Sequence, residues 1–207
     1  MKKNEKYRCE WTGNDPLMIE YHDKEWGVPV NEDRKWFEYI LLDAFQAGLS
    51  WKIILHKREN FRKAFDGFDF NKIVLYGQSK INSLLNDQSI VRNKLKIHAA
   101  VTNARQFLKI RDDYGSFNKY IWDFVDGKPQ INHYKTWDEI PPRTPLSDKL
   151  SKDLRQKGFK FVGSTICYAF MQGGGIVNDH ILTCFRHREL SGETLMHCTT
   201  KKGMNKT

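Results

Sequence analysis

The chain predicts an all-α fold, on three observations. Apolar residues recur at three- and four-residue spacing through most of its length. Capping residues and glycines punctuate those runs at helix-length intervals. Two β-branched stretches, near residues 130–133 and 159–162, are too short and isolated to specify a sheet.

Each element has its own signal. In "RKWFEYILLDAFQAG", Trp36, Phe37, Ile40, Leu41, Ala44 and Phe45 make a wide apolar face, with Asp33 as N-cap and Gly48 as stop. A second helix runs through "WKIILHKRENFRKAF" to Gly67. Asp69 and Ser79 cap two short helices over about 70–76 and 80–86. A long helix spans about 92–112, with Leu95, Ala99, Val101, Ala104, Phe107 and Leu108 inward. Ser116 opens and Gly127 closes "SFNKYIWDFVDG"; Ser147 and Gly158 do the same for "DKLSKDLRQKG". The last helix, "STICYAFMQGG", starts at Ser164 and stops at a run of three glycines. There are no internal repeats and no long linker.

Composition narrows the function. A chain of 207 residues, 40% apolar and 13% aromatic, can bury a substantial core and is not a disordered polymer. No apolar run of signal-peptide length occupies the first fifteen residues, and none approaches the ~18 residues of a membrane span. The expectation is a soluble, intracellular protein with no membrane partner. In that setting Cys9, Cys167, Cys184 and Cys198 are free or metal-bound rather than disulfide-bonded. The formal charge of +9 suits a polyanionic partner such as nucleic acid, with solubility as the plainer explanation. "HCTTKKGMNKT" at the C-terminal end is polar, aperiodic and expected to fray.

The segment "NDHILTC" sets His180 and Cys184 four residues apart, on one face if the segment is helical. Two ligands are half a metal site. Cys167 lies in the apolar run "TICYAF" and reads as a small buried hydrophobe. Cys9 in "YRCEW", with His22 thirteen residues on, would complete a Cys2His2 set joining the two ends of the chain. Spacing alone leaves the set open. The short Cys-x-x-Cys hook is missing, and His187, His197 and Cys198 compete as ligands.

Several motifs in order carry a resemblance. "RCEW", "DPLMIEYHDKEWGVP", "FQAGLSW", "KRENFRKAF", "GFKFVGSTICYAFMQ" and "VNDHILTC", spanning roughly residues 7–185, together resemble the constitutive, type I family of 3-methyladenine DNA glycosylases. The resemblance implies a helix-hairpin-helix fold and release of 3-methyladenine from alkylated double-stranded DNA in the bacterial cytosol. It also implies a structural Zn2+ held by Cys9, His22, His180 and Cys184 that clips the termini together. Residues 1–188 would form one unit, expected to act as a monomer, with 189–207 as a polar basic tail without fixed structure.

The chemistry is consistent with the residues. A base inside a duplex must be extruded to be reached. Methylation at N3 makes adenine cationic, so the departing base leaves neutral and needs little acid assistance. The site must instead tell a cation from a neutral purine. Aromatic faces and a buried carboxylate both do so. Trp11, Tyr21, Trp26 and Trp51 match the family's pocket region, although tryptophans this dense also suit a core.

Two positions depart from the family. Eight residues before Trp51, where its members usually carry a base-contacting glutamate, stands Asp43, one methylene shorter. Leu41, Leu42, Ala44 and Phe45 surround it, which argues against a solvated carboxylate. Met18 occupies a place often held by tyrosine and loses the hydroxyl.

For DNA contacts, Gln46, Gly48 and Leu49 lie at a helix end, with Leu49 as an apolar wedge for the flipped-out gap or a buried turn leucine. The hairpin falls in "LLNDQSIVRNKLKI", where Arg92, Lys94 and Lys96 are the expected phosphate neighbours. No lysine is marked as a Schiff-base nucleophile. The competing readings are a non-catalytic module for damaged or bent DNA and a zinc-stapled scaffold.

Overall fold

A computed structural model describes residues 6–192 of the chain. It is built from helices α1 (Pro16–Lys24), α2 (Asp33–Gln46), α3 (Trp51–Ala64), α4 (Phe70–Ile73), α5 (Gln78–Asn86), α6 (Lys94–Tyr114) and α7 (Phe117–Trp122). Strand β1 (Gln130–Ile131), α8 (Pro145–Gln156), α9 (Ser164–Gly173), β2 (Val177–Asn178) and α10 (Phe185–Ser191) follow. Among the described residues no helix is long and apolar enough to cross a membrane.

Helix α2 is the central rod: ten consecutive residues, Trp36 to Phe45, are buried. Its two sides meet different neighbours, Phe37 against Phe70 and Phe107, and Phe45 against Phe61 and Phe65. A helix buried all round must sit inside the fold rather than on it. Burying Asp43 within this run is therefore a consequence of where α2 lies.

Several caps differ from expectation. Asp33 is the first residue of α2, not its cap, and its carboxylate accepts from the Phe117 and Asn118 amides at the start of α7. A carboxylate at a remote helix N-terminus does the work of a local cap. Ser79 lies inside α5, whose N-cap is Gly77. Ser147 is the third residue of α8, and Thr144 is the cap, the two exchanging bonds in a capping box behind Pro145. Asp69 and Ser116 do cap α4 and α7.

Leu95, expected inward, is 70% exposed, because Lys96 and Ile97 take the inward positions of the first turn of α6. Residues 130–131 do form a strand, pairing in parallel with 177–178, while 159–162 form none. Helices α1 and α10 had no counterpart in the sequence reading. Since α10 continues to Ser191, residues 189–191 belong to the folded unit rather than to the expected tail. Residues 193–207, with His197 and Cys198, lie outside the described part.

The glycine run ending α9 does more than stop a helix. A Cβ on Gly174 would overlap the Trp36 ring, and one on Gly175, at φ +71°, would overlap the backbone of Val28 and Pro29. Only glycine lets this turn pack so closely on the segment leaving α1.

Candidate functional site

One cavity of about 220 Å3 opens where α1, α2, α3 and α9 converge. Met18 and Tyr21 reach it from α1, Asp43 and Gln46 from α2, Trp51 from the first position of α3, and Ala169 and Gln172 from α9. The three-residue spacing within α2 and within α9 puts each pair on one face. Trp11, Trp26 and Trp137 line it from outside the regular helices. The rings run in series: Trp51 to Tyr21 at 5.1 Å between centroids, Tyr21 to Trp11 at 6.3 Å, and Trp11 to Trp26 at 5.2 Å.

Polar atoms in this cavity lack partners. Six buried side-chain atoms of the described residues make no hydrogen bond, and four belong to its lining: Asp43 Oδ2, Gln46 Oε1, Trp11 Nε1 and Trp51 Nε1. Two can accept from a ligand and two can donate. Asp43 is only 4% exposed, and burial pushes its carboxyl well above the usual range. Tyr21 is raised by burial too, with Tyr39 and then Asp43 adding to it. Among the described residues no cationic side chain bonds Asp43. A ligand that brings both an N–H donor and positive charge would satisfy it.

Beside this cavity stand Cys9, His22, His180 and Cys184, all buried, with ligand atoms within 4.8 Å of one another. Cys184 Sγ lies 3.4 Å from both His22 Nε2 and His180 Nδ1, and Cys9 Sγ lies 3.6 Å from His180 Nδ1. The other imidazole nitrogens are anchored. His22 Nδ1 is 2.8 Å from Asp23, itself clamped by Arg8, and His180 Nε2 donates to the Trp26 carbonyl at 3.0 Å. Such outer partners fix ligand tautomers in metal sites.

The two sulfurs titrate as a pair. The thiol bond between them raises Cys9 and lowers Cys184, with the two imidazoles adding to the latter. Burial pushes His180 below its ordinary value, towards the neutral form that ligates metals.

His180 and Cys184 are not on one helix. They sit in the turn between β2 and α10, and the Cys184 amide bonding Ile181 O brings them together. His187 is no competitor, since its Nε2 bonds Asn132 O. Cys167 is buried and donates to Val162 O.

The expected DNA-contacting residues separate. Gly48, at φ +78°, and Leu49, 38% exposed, stand in the turn after α2. Arg92 and Lys94 are exposed at the start of α6. Gln46 points its unpartnered oxygen into the cavity.

Lys96 is a correction. It is buried, and its Nζ donates to Phe45 O at 2.8 Å and Ala47 O at 2.6 Å, closing the C-terminal end of α2. Its position on the inner side of α6 removes it from any phosphate. Lys96→Ala should therefore lower unfolding free energy by about 1.5–3 kcal/mol, the range for charged hydrogen bonds, in urea denaturation.

Trp137, Ala169 and Gln172 escaped the sequence reading. The two α9 residues follow from the helical period of "STICYAFMQGG" once one face is known to meet Tyr21. Trp137 sits in the polar stretch "KTWDEIPP", where no period marks it.

Comparison with known proteins gives a consistent picture. A family model described as methyladenine glycosylase matches residues 11–187. The DNA-3-methyladenine glycosylase 1 of Escherichia coli K12 is 47% identical over 177 residues, covering 86% of this chain and 95% of the relative. A crystal structure of a 3-methyladenine DNA glycosylase I superposes with a TM-score of 0.84 at 50% identity, covering 86% of this chain and 98% of that one. The Staphylococcus aureus 3-methyladenine DNA glycosylase I, solved for the structural basis of 3-methyladenine recognition, superposes at 0.83 with 34% identity, covering 86% and 94%.

Proposed function

This chain belongs to the methyladenine glycosylase family, and on that premise we propose that its aromatic cavity receives an extruded 3-methyladenine and releases it from alkylated DNA. The observation that carries this reading is the gathering of four unpartnered buried polar atoms on one aromatic-walled cavity. Asp43 accepts from the exocyclic amino group, with Gln46 as a second acceptor, while the indole N–H groups of Trp11 and Trp51 serve ring nitrogens. Tyr21 and Trp51 lie against the ring, and cation–π attraction favours the alkylated base over a neutral one. When the C1′–N9 bond breaks, its electron pair passes to the base, which becomes neutral. Water adds to C1′ and loses a proton. Among the described residues no lysine lines the cavity, so the abasic strand should remain uncut.

The exposed Leu49 is the wedge for the vacated stack, and the turn between α5 and α6 presents Arg92 and Lys94 to phosphates. The Cys2His2 cluster holds zinc. A tetrahedral zinc bonded at about 2.3 Å to sulfur and about 2.0–2.1 Å to nitrogen would set S and N about 3.5 Å apart, and three of the four S···N pairs lie at 3.4, 3.4 and 3.6 Å. With four protein ligands it has no place for catalytic water. Its part is to hold His22 beside Tyr21 and His180 against Trp26.

Incubation with methylated DNA tests the whole reading. Release of free 3-methyladenine is expected. Tight binding without release would mark a damage-binding module, and neither outcome a scaffold. Trp51→Ala should weaken base binding by about 1–3 kcal/mol, the usual value of a base–aromatic stack, with native circular dichroism. Parental release at subsaturating substrate in that variant would make Trp51 a packing residue.

A further inference from the structure

Trp137 is a large aromatic side chain that packs on the edge of the core, is only partly buried and makes no side-chain hydrogen bond among the described residues. It lies in the 3-10 turn Trp137–Glu139, only partly buried, with its ring over the cavity. The turn is held firmly. Glu139 accepts from the Lys135 amide at 2.7 Å, and the Tyr134 carbonyl accepts from the Leu182 amide at 2.8 Å. Asn132 and Gln172 both donate to Asp179, at 2.6 and 2.7 Å, tying the segment before the turn to the cavity wall of α9. The indole is thus presented by a braced loop rather than left on a loose one.

Its place in the cavity can be read from its neighbours. Trp137 is 6.3 Å from the Trp11 ring and 6.3 Å from the Trp26 ring. Among the described ring pairs it has none with Tyr21 or Trp51. Helix α3 opens at Trp51 just after α2 ends at Gln46, so the acceptors Asp43 and Gln46 meet the aromatic series at its Trp51 end. Trp137 therefore stands at the end of the aromatic series away from the acceptors on α2. In adenine N3 lies across the six-membered ring from C6, which carries the amino group. A base whose amino group meets Asp43 directs its N3 substituent to the corner of Trp11, Trp26 and Trp137.

Resting on the function proposed above, we infer that Trp137 closes the subsite for the N3 substituent and sets how large an alkyl group the enzyme accepts. An apolar corner discriminates by size because one methylene too many must displace a ring or strain the pose. Such pockets separate substrates by roughly ten- to two-hundredfold per methylene.

The test compares release of 3-methyladenine and 3-ethyladenine from methylated and ethylated DNA by the parent, Trp137→Ala and Trp137→Leu. The parent should favour the methyl adduct. The alanine variant should narrow the ratio of kcat/KM values by roughly tenfold, with leucine between. Folded variants with the parental ratio, or with both rates lowered in parallel, overturn the assignment while leaving the function intact. Loss of folding in both variants overturns it too, making Trp137 a packing residue. A parent that releases neither base defeats the functional reading itself.

Discussion

Replacing Cys184 with alanine should lower the melting temperature by roughly 6–20 °C. Breaking a buried charged cluster by removing one partner costs about 3–5 kcal/mol, and about 2–4 °C accompanies each kcal/mol in a domain of this size. The parent should carry one zinc per chain by elemental analysis, and the variant should lose it. The effect is global because Cys184 and His180 meet Cys9 and His22 across nearly the whole sequence. Cys167→Ala supplies the contrast: that thiol is also buried but donates to Val162 O, outside the cluster, so its variant should keep the metal. A Cys184→Ala protein melting with the parent would refute the clip.

Asp43→Asn should weaken binding of the cationic base by roughly ten- to a hundredfold, since charged hydrogen bonds are worth about 1.5–3 kcal/mol. The amide still accepts the bond but brings no charge. Asp43→Glu should keep or raise activity by restoring reach.

Stability should move the other way. An unfolded aspartate ionises near ~3.9, whereas burial raises the Asp43 carboxyl well above that in the folded chain. The folded state therefore holds the extra proton. The contribution of this group is fully present below about pH 4 and is lost as pH rises towards the folded value. Asparagine suffers no such loss. The Asn variant should melt above the parent over this window, the gap widening with pH, while binding worsens. Calorimetry across pH beside a base-binding titration checks both halves. An Asn variant with parental affinity, together with a folded but inactive Glu variant, would make Asp43 a packing residue.

The sequence was most legible where one physical signal dominates. The apolar faces of α2, α3 and α9 announce themselves by period, and Asp69 and Ser116 by capping chemistry. It was least legible where a residue acts at a distance. Asp33 looks like a local cap but bonds α7, 84 and 85 positions away. Lys96 looks like a surface cation but closes α2. Helix α1 begins Asp15-Pro16 in a short polar setting with little apolar period, although Asp15 accepts from the Leu17 and Met18 amides as a cap should. The cavity was legible only in part. Spacing places Asp43 beside Gln46, while the meeting of Trp137 with Trp11 depends on the β1–β2 pairing of residues 47 positions apart.

The Cys2His2 cluster also imposes an order on synthesis. Its first ligand, Cys9, precedes its last, Cys184, by 175 positions, about 9–35 seconds of translation at about 5–20 residues per second. Trp11, Tyr21 and Trp26 are made well before the turn that braces them. A nascent chain cannot assemble a finished base pocket and release it early. A chain cut short before His180 should therefore lack two of the four cluster ligands and the brace they give the cavity.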